Sequence, residues 1–200
     1  MVKYDLSHLV QDENQKVCGP IQDDEALFLY SIIRGCRLHR ILEIGGLSGY
    51  SAKNFLQALS FSKEGILYTC DINPVPVLAD NHKVIIKNAL NLTISDIDNK
   101  PLDLIFFDCH DMIQMDIYNI FVKNNIINDN TILALHDTNL HYPNYQEKGF
   151  VHQQVERDMV NIFKNLGYDI FSISTNHTKH NDDFPFRHGV SICRKFKVLE

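Results

Sequence analysis

At 200 residues the chain has the length of one ordinary domain, enough to bury a core without metal or disulfide staples. Apolar residues at 44% and charged residues at 22% are the proportions of a soluble globular protein. A formal charge of -6, with the Lys and Arg residues scattered, argues against a surface that follows a phosphate backbone, so nucleic acid is not an expected partner.

After a polar start, DDEALFLYSIIRGC (23–36) has the pattern of a buried helix, with acids at the N-terminal end favoured by the helix dipole and Gly35 placed to stop it. A strand-and-helix alternation then begins. RILEIG (40–45) reads as a short apolar strand and SAKNFLQAL (51–59) as a helix after a glycine-rich turn. ILYTCDI (66–72) is a second strand, PVPVLAD (74–80) a short helix or turn, and KVIIK (83–87) a third strand. PLDLIFFD (101–108) is a fourth strand, MDIYNIFVKNN (115–125) a helix, and TILALHD (131–137) a fifth strand. QQVERDMVNIFKNLG (153–167) is a long amphipathic helix, with Val155, Met159, Ile162 and Phe163 on one face and Gly167 at its end. YDIFSIS (168–174) and GVSICRKF (189–196) are the last two strands. Two polar stretches, 139–150 and 175–186, read as loops beyond strand ends, where substrate loops tend to sit.

Continuous apolar strands separated by helices imply a mostly parallel sheet covered on both faces. The expected architecture is therefore α/β: a Rossmann-like, doubly wound, seven-stranded sheet closed by a C-terminal antiparallel hairpin. Residues 1–38 are expected to form a helical cap on a core of residues 39–200, within a single domain. Cys18, Cys36, Cys70, Cys109 and Cys193 are odd in number and contain no C-x-x-C pair, so they read as buried thiols of a reducing compartment. No signal-peptide pattern and no apolar run of ~18 residues occurs, which makes the expected location cytoplasmic, with no membrane partner. Leu199-Glu200 reads as a vector remnant, leaving open one domain of a longer protein; a homo-oligomer is also left open.

In a doubly wound sheet, ligands bind outside the carboxyl ends of the strands. The first strand ends in EIGGLSGYS, where Gly45 permits a tight turn and Gly49 a close approach to a ligand. The dinucleotide spacing G-x-G-x-x-G, counted from Gly45, would need glycine where Leu47 and Tyr50 stand. A carboxylate at Glu43 would also sit badly beside a phosphate, whereas a cationic, zwitterionic ligand without phosphate tolerates it. Asp71, ending the second strand, is placed to accept hydrogen bonds from ribose hydroxyls.

RILEIGGLSGYS with Asp71 resembles motifs I and II of class I S-adenosylmethionine-dependent methyltransferases. Glu43, Gly45, Gly49 and Ser51 match residue by residue. The resemblance implies a cofactor site made by Glu43, Gly45, Gly46, Ser48, Gly49, Tyr50, Ser51, Asp71, Ile72 and Asp108. Asn88 and Ala89 resemble the adenine-contacting stretch after strand three, although Asn88 could equally be a turn residue.

Strands four and five end in IFFDCHD and LALHDTNLH, so Asp108, His110, His136, Asp137 and His141 are expected to converge beside the methyl donor. Each also has a plainer reading, such as Asp111 as a helix cap or His136 as a core-edge histidine. The two motifs resemble metal-dependent O-methyltransferases of the catechol, caffeoyl-coenzyme A and macrolide-sugar type. That resemblance implies a divalent cation (Mg2+ or Mn2+) held by Asp108, His136 and Asp137, His110 as general base, and a sugar or other small-molecule hydroxyl as acceptor. Thr138 stands where the catechol-type pattern has Asn, with Asn139 one place later, which leaves the third ligand open. Segments 135–141, 151–163 and 186–196 also resemble an uncharacterised bacterial methyltransferase group, adding His152, Arg157, Arg187 and His188 as landmarks that contact substrate or sit on a helix surface or strand edge.

Two other readings compete. His110, His136 and Asp137 could form the facial triad of a non-haem iron oxygenase, and the fold could be a binding module without catalysis. Motif I disfavours the first, and the polar residues on strands four and five disfavour the second. A phenolic acceptor is the alternative to a sugar.

Overall fold

The computed structural model describes residues 6–7, 21, 23–109, 112–139, 145–147, 150–152, 155–173 and 189–195. Helix α1 (Asp23–Cys36) precedes β1 (Arg40–Ile44), α2 (Tyr50–Leu59), β2 (Ile66–Asp71), β3 (His82–Ile86) and β4 (Leu104–Phe107). There follow α3 (Gln114–Lys123), β5 (Ile132–Leu135), β6 (Tyr145–Glu147), β7 (Phe150–His152), α4 (Val155–Asn165), β8 (Tyr168–Ile173) and β9 (Val190–Lys195). Seven strands form one sheet in the order β3-β2-β1-β4-β5-β9-β8. β1 to β5 are parallel, and β9 runs antiparallel to both of its neighbours, β5 and β8. This is the expected doubly wound sheet with an antiparallel C-terminal pair.

The period-2 alternation of strand side chains divides the core between the two faces. Ile41, Leu67, Leu104, Phe106 and Ala134 pack with α1 and α2, through Leu29, Ile33, Ala52 and Phe55. Leu42, Tyr68, Ile105, Phe107 and Leu133 pack on the opposite face with Ile117, Phe121, Met159 and Phe163 of α3 and α4. Residues 108 and 136, one place beyond β4 and β5, continue the alternation on the α1 side. α1 therefore shares its core with the sheet, and its polar residues can reach the strand ends.

Three local expectations change. α1 runs through Gly35 to Cys36. It is Arg37 that takes the left-handed conformation (φ 53), while Leu38 N–H reaches back to the Ile33 carbonyl at 3.0 Å, a Schellman-type end. In α4 the buried stripe is rotated toward Glu156 and Val160, leaving Ile162 38% exposed at its rim. The polar stretch 139–150 is not wholly loop, because Tyr145–Glu147 pairs antiparallel with Phe150–His152. Among the described cysteines Cys70 and Cys193 are buried as expected, whereas Cys36 is exposed. No helix among the described residues is long and apolar enough to cross a membrane.

Candidate active site

The parallel strands end together on one side of the sheet, over a cavity of about 440 Å³. Gly45, Asp71, Ile72, Asn88, Ala89 and Asp108, all expected at a cofactor site, line it. Gly45 has φ +91, and a Cβ there would fall 2.5 Å from the Asp108 carbonyl oxygen. Only glycine lets the first loop lie this close to the end of β4. Gly49 (φ 77) caps α2 in the left-handed region, and Leu47 also has positive φ (37) despite its side chain. Asp71 holds this loop: Oδ2 accepts from Gly46 N–H at 2.9 Å and Leu47 N–H at 3.4 Å, and Oδ1 accepts from Asn73 N–H at 2.8 Å. A carboxylate oxygen has two lone pairs, so Oδ2 is engaged by the two loop amides while Oδ1 retains one lone pair for a ribose hydroxyl.

Glu43 does not line the cavity. It is fully buried beneath the loop, accepting hydrogen bonds from the hydroxyls of Ser51 and Thr69. Burial lifts its carboxyl to about 7; the two hydroxyl hydrogen bonds pull the other way, and the charges of Asp108 and Asp71 add to the rise. Its part is to support the loop, and Ser51, also buried, shares it. Gly46, Ser48, Gly49 and Tyr50 likewise belong to the loop and the start of α2 rather than to the cavity wall. Asn88 is a turn residue as well as a wall residue, since its Oδ1 accepts from Leu90 N–H at 2.9 Å.

The sequence reading missed much of the apolar wall: Ile44, Cys109, Ile113 and Ile117, with Cys70 behind. Burial pushes the Cys70 thiol up to about 12, with Asp71 and Asp96 adding to the shift and Lys87 opposing it, so this sulfur stays protonated. Leu47, Asn73 and Lys87 complete the lining, and the Lys87 ammonium pairs with Asp96 at 2.7 Å. These three residues lie in the segments that follow β1, β2 and β3, where no periodic signal marks them.

Asp108, His136 and Asp137 do come together at the adjoining ends of β4 and β5. His136 is fully buried, with Nδ1 2.8 Å from Asp108 Oδ1 and Nε2 3.5 Å from Asp137 Oδ1. Nε2 also lies 3.3 Å from Oε2 of Glu25, a fully buried acid on α1. Burial alone would push the imidazole down, but the charges of Asp137, Asp108 and Glu25 outweigh it and hold His136 well above its usual value. Asp137 is buried in the left-handed region (φ 54), a conformation Asp tolerates better than most residues. Thr138 accepts a hydrogen bond from Ser191 Oγ at 2.8 Å, and its N–H donates to the Gly189 carbonyl, locking the end of β5 to β9.

Glu25 stands among the acids at the N-terminal end of α1, yet its spacing of four and eight residues from the buried Leu29 and Ile33 marks it as core-facing. Arg157 is on α4, where burial lowers its guanidinium. His110, Asp111, His141, Arg187 and His188 lie outside the described residues, as does the His152 side chain, whose backbone is in β7. Among the described residues no group of three or more His, Cys, Asp or Glu is arranged to hold a metal ion.

No family model matches the sequence. The chain is 24% identical over 132 residues to O-methyltransferase ankF of Aspergillus thermomutatus, covering 61% of this chain and 54% of that protein, so it spans about half the length of that curated relative. Among solved structures, cofactor-bound Rv0187 from MTB has a TM-score of 0.68 at 17% identity, covering 92% of this chain and 85% of that one. TomG of Streptomyces achromogenes, an O-methyltransferase of tomaymycin synthesis solved with SAM, has a TM-score of 0.62 at 18% identity over 88% and 82% of the two chains. The SAH-bound Podospora anserina methyltransferase PaMTH1 has a TM-score of 0.62 at 16% identity over 88% and 80%. With its strand order and the glycine loop over the strand ends, this chain has the class I methyltransferase fold.

Proposed function

We propose that the chain is an S-adenosylmethionine-dependent O-methyltransferase acting on a hydroxyl of a small molecule, with a sugar or glycan as the acceptor class. One observation carries the reading: the cavity under the Gly45 loop has Asp71 on one side and, on the other, Asp108 from the cluster at the ends of β4 and β5. The donors fit the cofactor. Asp71 suits the ribose, Ile72, Ala89 and Ile113 offer an apolar surface for adenine, and the glycine loop admits a ligand without phosphate. That ankF and TomG are O-methyltransferases supports oxygen as the methylated atom.

When bound, S-adenosylmethionine supplies a methyl group to an acceptor oxygen, a C–O bond forming as the C–S bond breaks. The protein has to align the acceptor with the donor and receive the hydroxyl proton. Asp108 borders the cavity and is placed to orient a hydroxyl. His110, two residues on, is the proposed base on the strength of the sequence, with His141, His152, Arg187 and His188 as proposed acceptor contacts. Of the three ligands that the resemblance implies for a divalent cation, His136 is the one whose surroundings do not fit. His136 directs one ring nitrogen at Asp108 and the other at Glu25 and Asp137, whereas Asp108 and Asp137 would be the residues to hold such an ion, which would supply a Lewis acid to the acceptor hydroxyl. The same engagement disfavours an iron-oxygenase triad.

The test is release of S-adenosylhomocysteine across nucleotide sugars, glycosides and catechols. Turnover of glycosides or nucleotide sugars is expected. Turnover of catechols alone would move the acceptor to a phenol, and absence of cofactor binding would overturn the activity.

A further inference from the structure

Two parts of the chain border the nucleoside side of the cavity: the loop after β1, and residues 72–80 between β2 and β3, of which Ile72 and Asn73 line it. They touch each other. A Cβ on Gly46 would collide with the Thr69 methyl and lie 3.1 Å from the Val75 side chain, and one on Gly49 would lie 3.1 Å from Leu78 Cδ1. Both parts also lead to one buried side chain, His82 at the start of β3, which is 4% exposed. Its Nδ1 accepts from the Leu78 N–H at 3.2 Å, and its main-chain N–H donates to the Ala79 carbonyl at 3.1 Å, which fastens the rear of the 72–80 segment. The ring proton is therefore on Nε2, which donates to Thr69 Oγ1 at 2.9 Å. Burial lowers the imidazole, in keeping with a neutral ring.

Thr69 carries the influence of the ring to the loop. The methyl and hydroxyl of a threonine are close in size, so turning about χ1 exchanges them at little steric cost unless the hydroxyl is held. Here Oγ1 is held from two sides, receiving from His82 and donating to Glu43 Oε2 at 2.8 Å, and the methyl is thereby fixed beneath Gly46. Gly46 N–H in turn donates to Asp71 Oδ2 at 2.9 Å, beside the oxygen left for the ribose. We propose that His82 is a positioning residue for the cofactor: it stands outside the cavity wall, yet it fixes the glycine loop through Thr69 and the 72–80 segment through Leu78, and so sets the affinity for the nucleoside. The identity of the ligand rests on the methyltransferase reading, whereas the hydrogen-bond arrangement does not.

The experiment uses the full chain with S-adenosylhomocysteine as the probe, each variant being checked for folding by its urea midpoint. His82→Phe keeps a ring and removes both of its hydrogen bonds. It should weaken S-adenosylhomocysteine about tenfold in isothermal titration and raise KM for S-adenosylmethionine alike, with kcat within about twofold, because the reacting centre is at the ends of β4 and β5. His82→Gln, whose amide can still donate to Thr69, should recover part of the affinity. Thr69→Val keeps the shape but leaves His82 and Glu43 without the hydroxyl, and should weaken binding about fivefold. The double variant His82→Phe, Thr69→Val should lose less than the product of the two single losses, since the two act along one path. Should His82→Phe not fold, the Thr69→Val and His82→Gln titrations decide. Imidazole 15N NMR of the unaltered protein should find His82 protonated at Nε2 alone. An Nδ1–H tautomer, unchanged affinity in Thr69→Val, or a fall in kcat with KM unchanged would each overturn the proposal and leave the methyltransferase reading standing. Absence of S-adenosylhomocysteine binding by the unaltered protein would overturn that reading, and this role of His82 with it.

Discussion

Thr69 donates its hydroxyl to Glu43 Oε2 at 2.8 Å, directly beneath the first loop. The direction of this bond follows from the next one along. His82 Nδ1 accepts from the Leu78 N–H at 3.2 Å, so the ring proton is on Nε2, which donates to Thr69 Oγ1 at 2.9 Å. Thr69 is left with its own proton for Glu43, and Ser51 supplies the second donor. The loop thus stands on a carboxylate solvated by two hydroxyls in place of water.

That arrangement makes stability depend on pH. Burial lifts the Glu43 carboxyl to about 7 from an ordinary 4.5, so the folded protein binds an extra proton in the interval between them. The sign is fixed: the contribution is complete below the lower value and is lost as pH rises through the upper one. The loss is on the order of 3 kcal/mol at about 1.4 kcal/mol per unit. Glu43→Gln should flatten this fall, measured as the urea midpoint at mildly acidic and mildly alkaline pH. Parallel pH profiles in the two proteins would refute the assignment.

Asp71 is expected to carry the ribose as well as the loop amides. Asp71→Ala should weaken S-adenosylhomocysteine binding roughly 10–100-fold, the size of one or more charge-assisted hydrogen bonds. Isothermal titration checks it. NAD should give no heat, because the loop lacks the glycine spacing that brings a helix N-terminus to a pyrophosphate. Measurable NAD affinity would count against the cofactor assignment.

Two glycines in the same loop should respond differently to a methyl group. At Gly45 the new Cβ meets backbone, 2.5 Å from the Asp108 carbonyl oxygen, while at Gly49 the nearest atom is Leu78 Cδ1 at 3.1 Å on a side chain that can yield. Gly45→Ala should cost roughly 2–5 kcal/mol, adding overpacking to left-handed strain, whereas Gly49→Ala should cost about 1–2 kcal/mol from strain alone. Chemical denaturation of the two variants decides; equal losses would mean that the β1–β4 approach is not tight.

What was legible in the sequence follows from which interactions are local. β4 and β5 are continuous apolar runs, and the apolar runs of β1 and β2 are interrupted only by Glu43 and Thr69, so their order and their place in a parallel sheet could be read directly. The β6–β7 pairing could not, because main-chain hydrogen bonds form between polar residues as readily as apolar ones. At the site, Asp71 and Asp108 were legible because strand ends face the ligand crevice. The chemistry of His136 was not. Its partner Glu25 is 111 residues away, and only the packing of α1 on the sheet brings the two together. Glu43 was found for its position but given the wrong neighbour, since depth below the loop is not a sequence property.

The last expectation separates the charge of Asp137 from its backbone. Its φ of 54 lies where Asn and Asp are tolerated and other side chains are strained. Asp137→Asn therefore keeps the turn at the end of β5 while removing one of the charges around His136. Its melting temperature should stay close to the original, and turnover should fall on the order of 10–100-fold, about 1.4–2.7 kcal/mol in the barrier. Asp137→Ala removes the charge and forces alanine into the left-handed region, so it should show the same loss of turnover together with a further 1–2 kcal/mol or so of destabilisation. Activity and urea midpoint measured on both variants give the answer. Should Asn and Ala behave alike in stability, the backbone at 137 is not constrained; should Asn retain full turnover, the carboxylate takes no part in ordering the site.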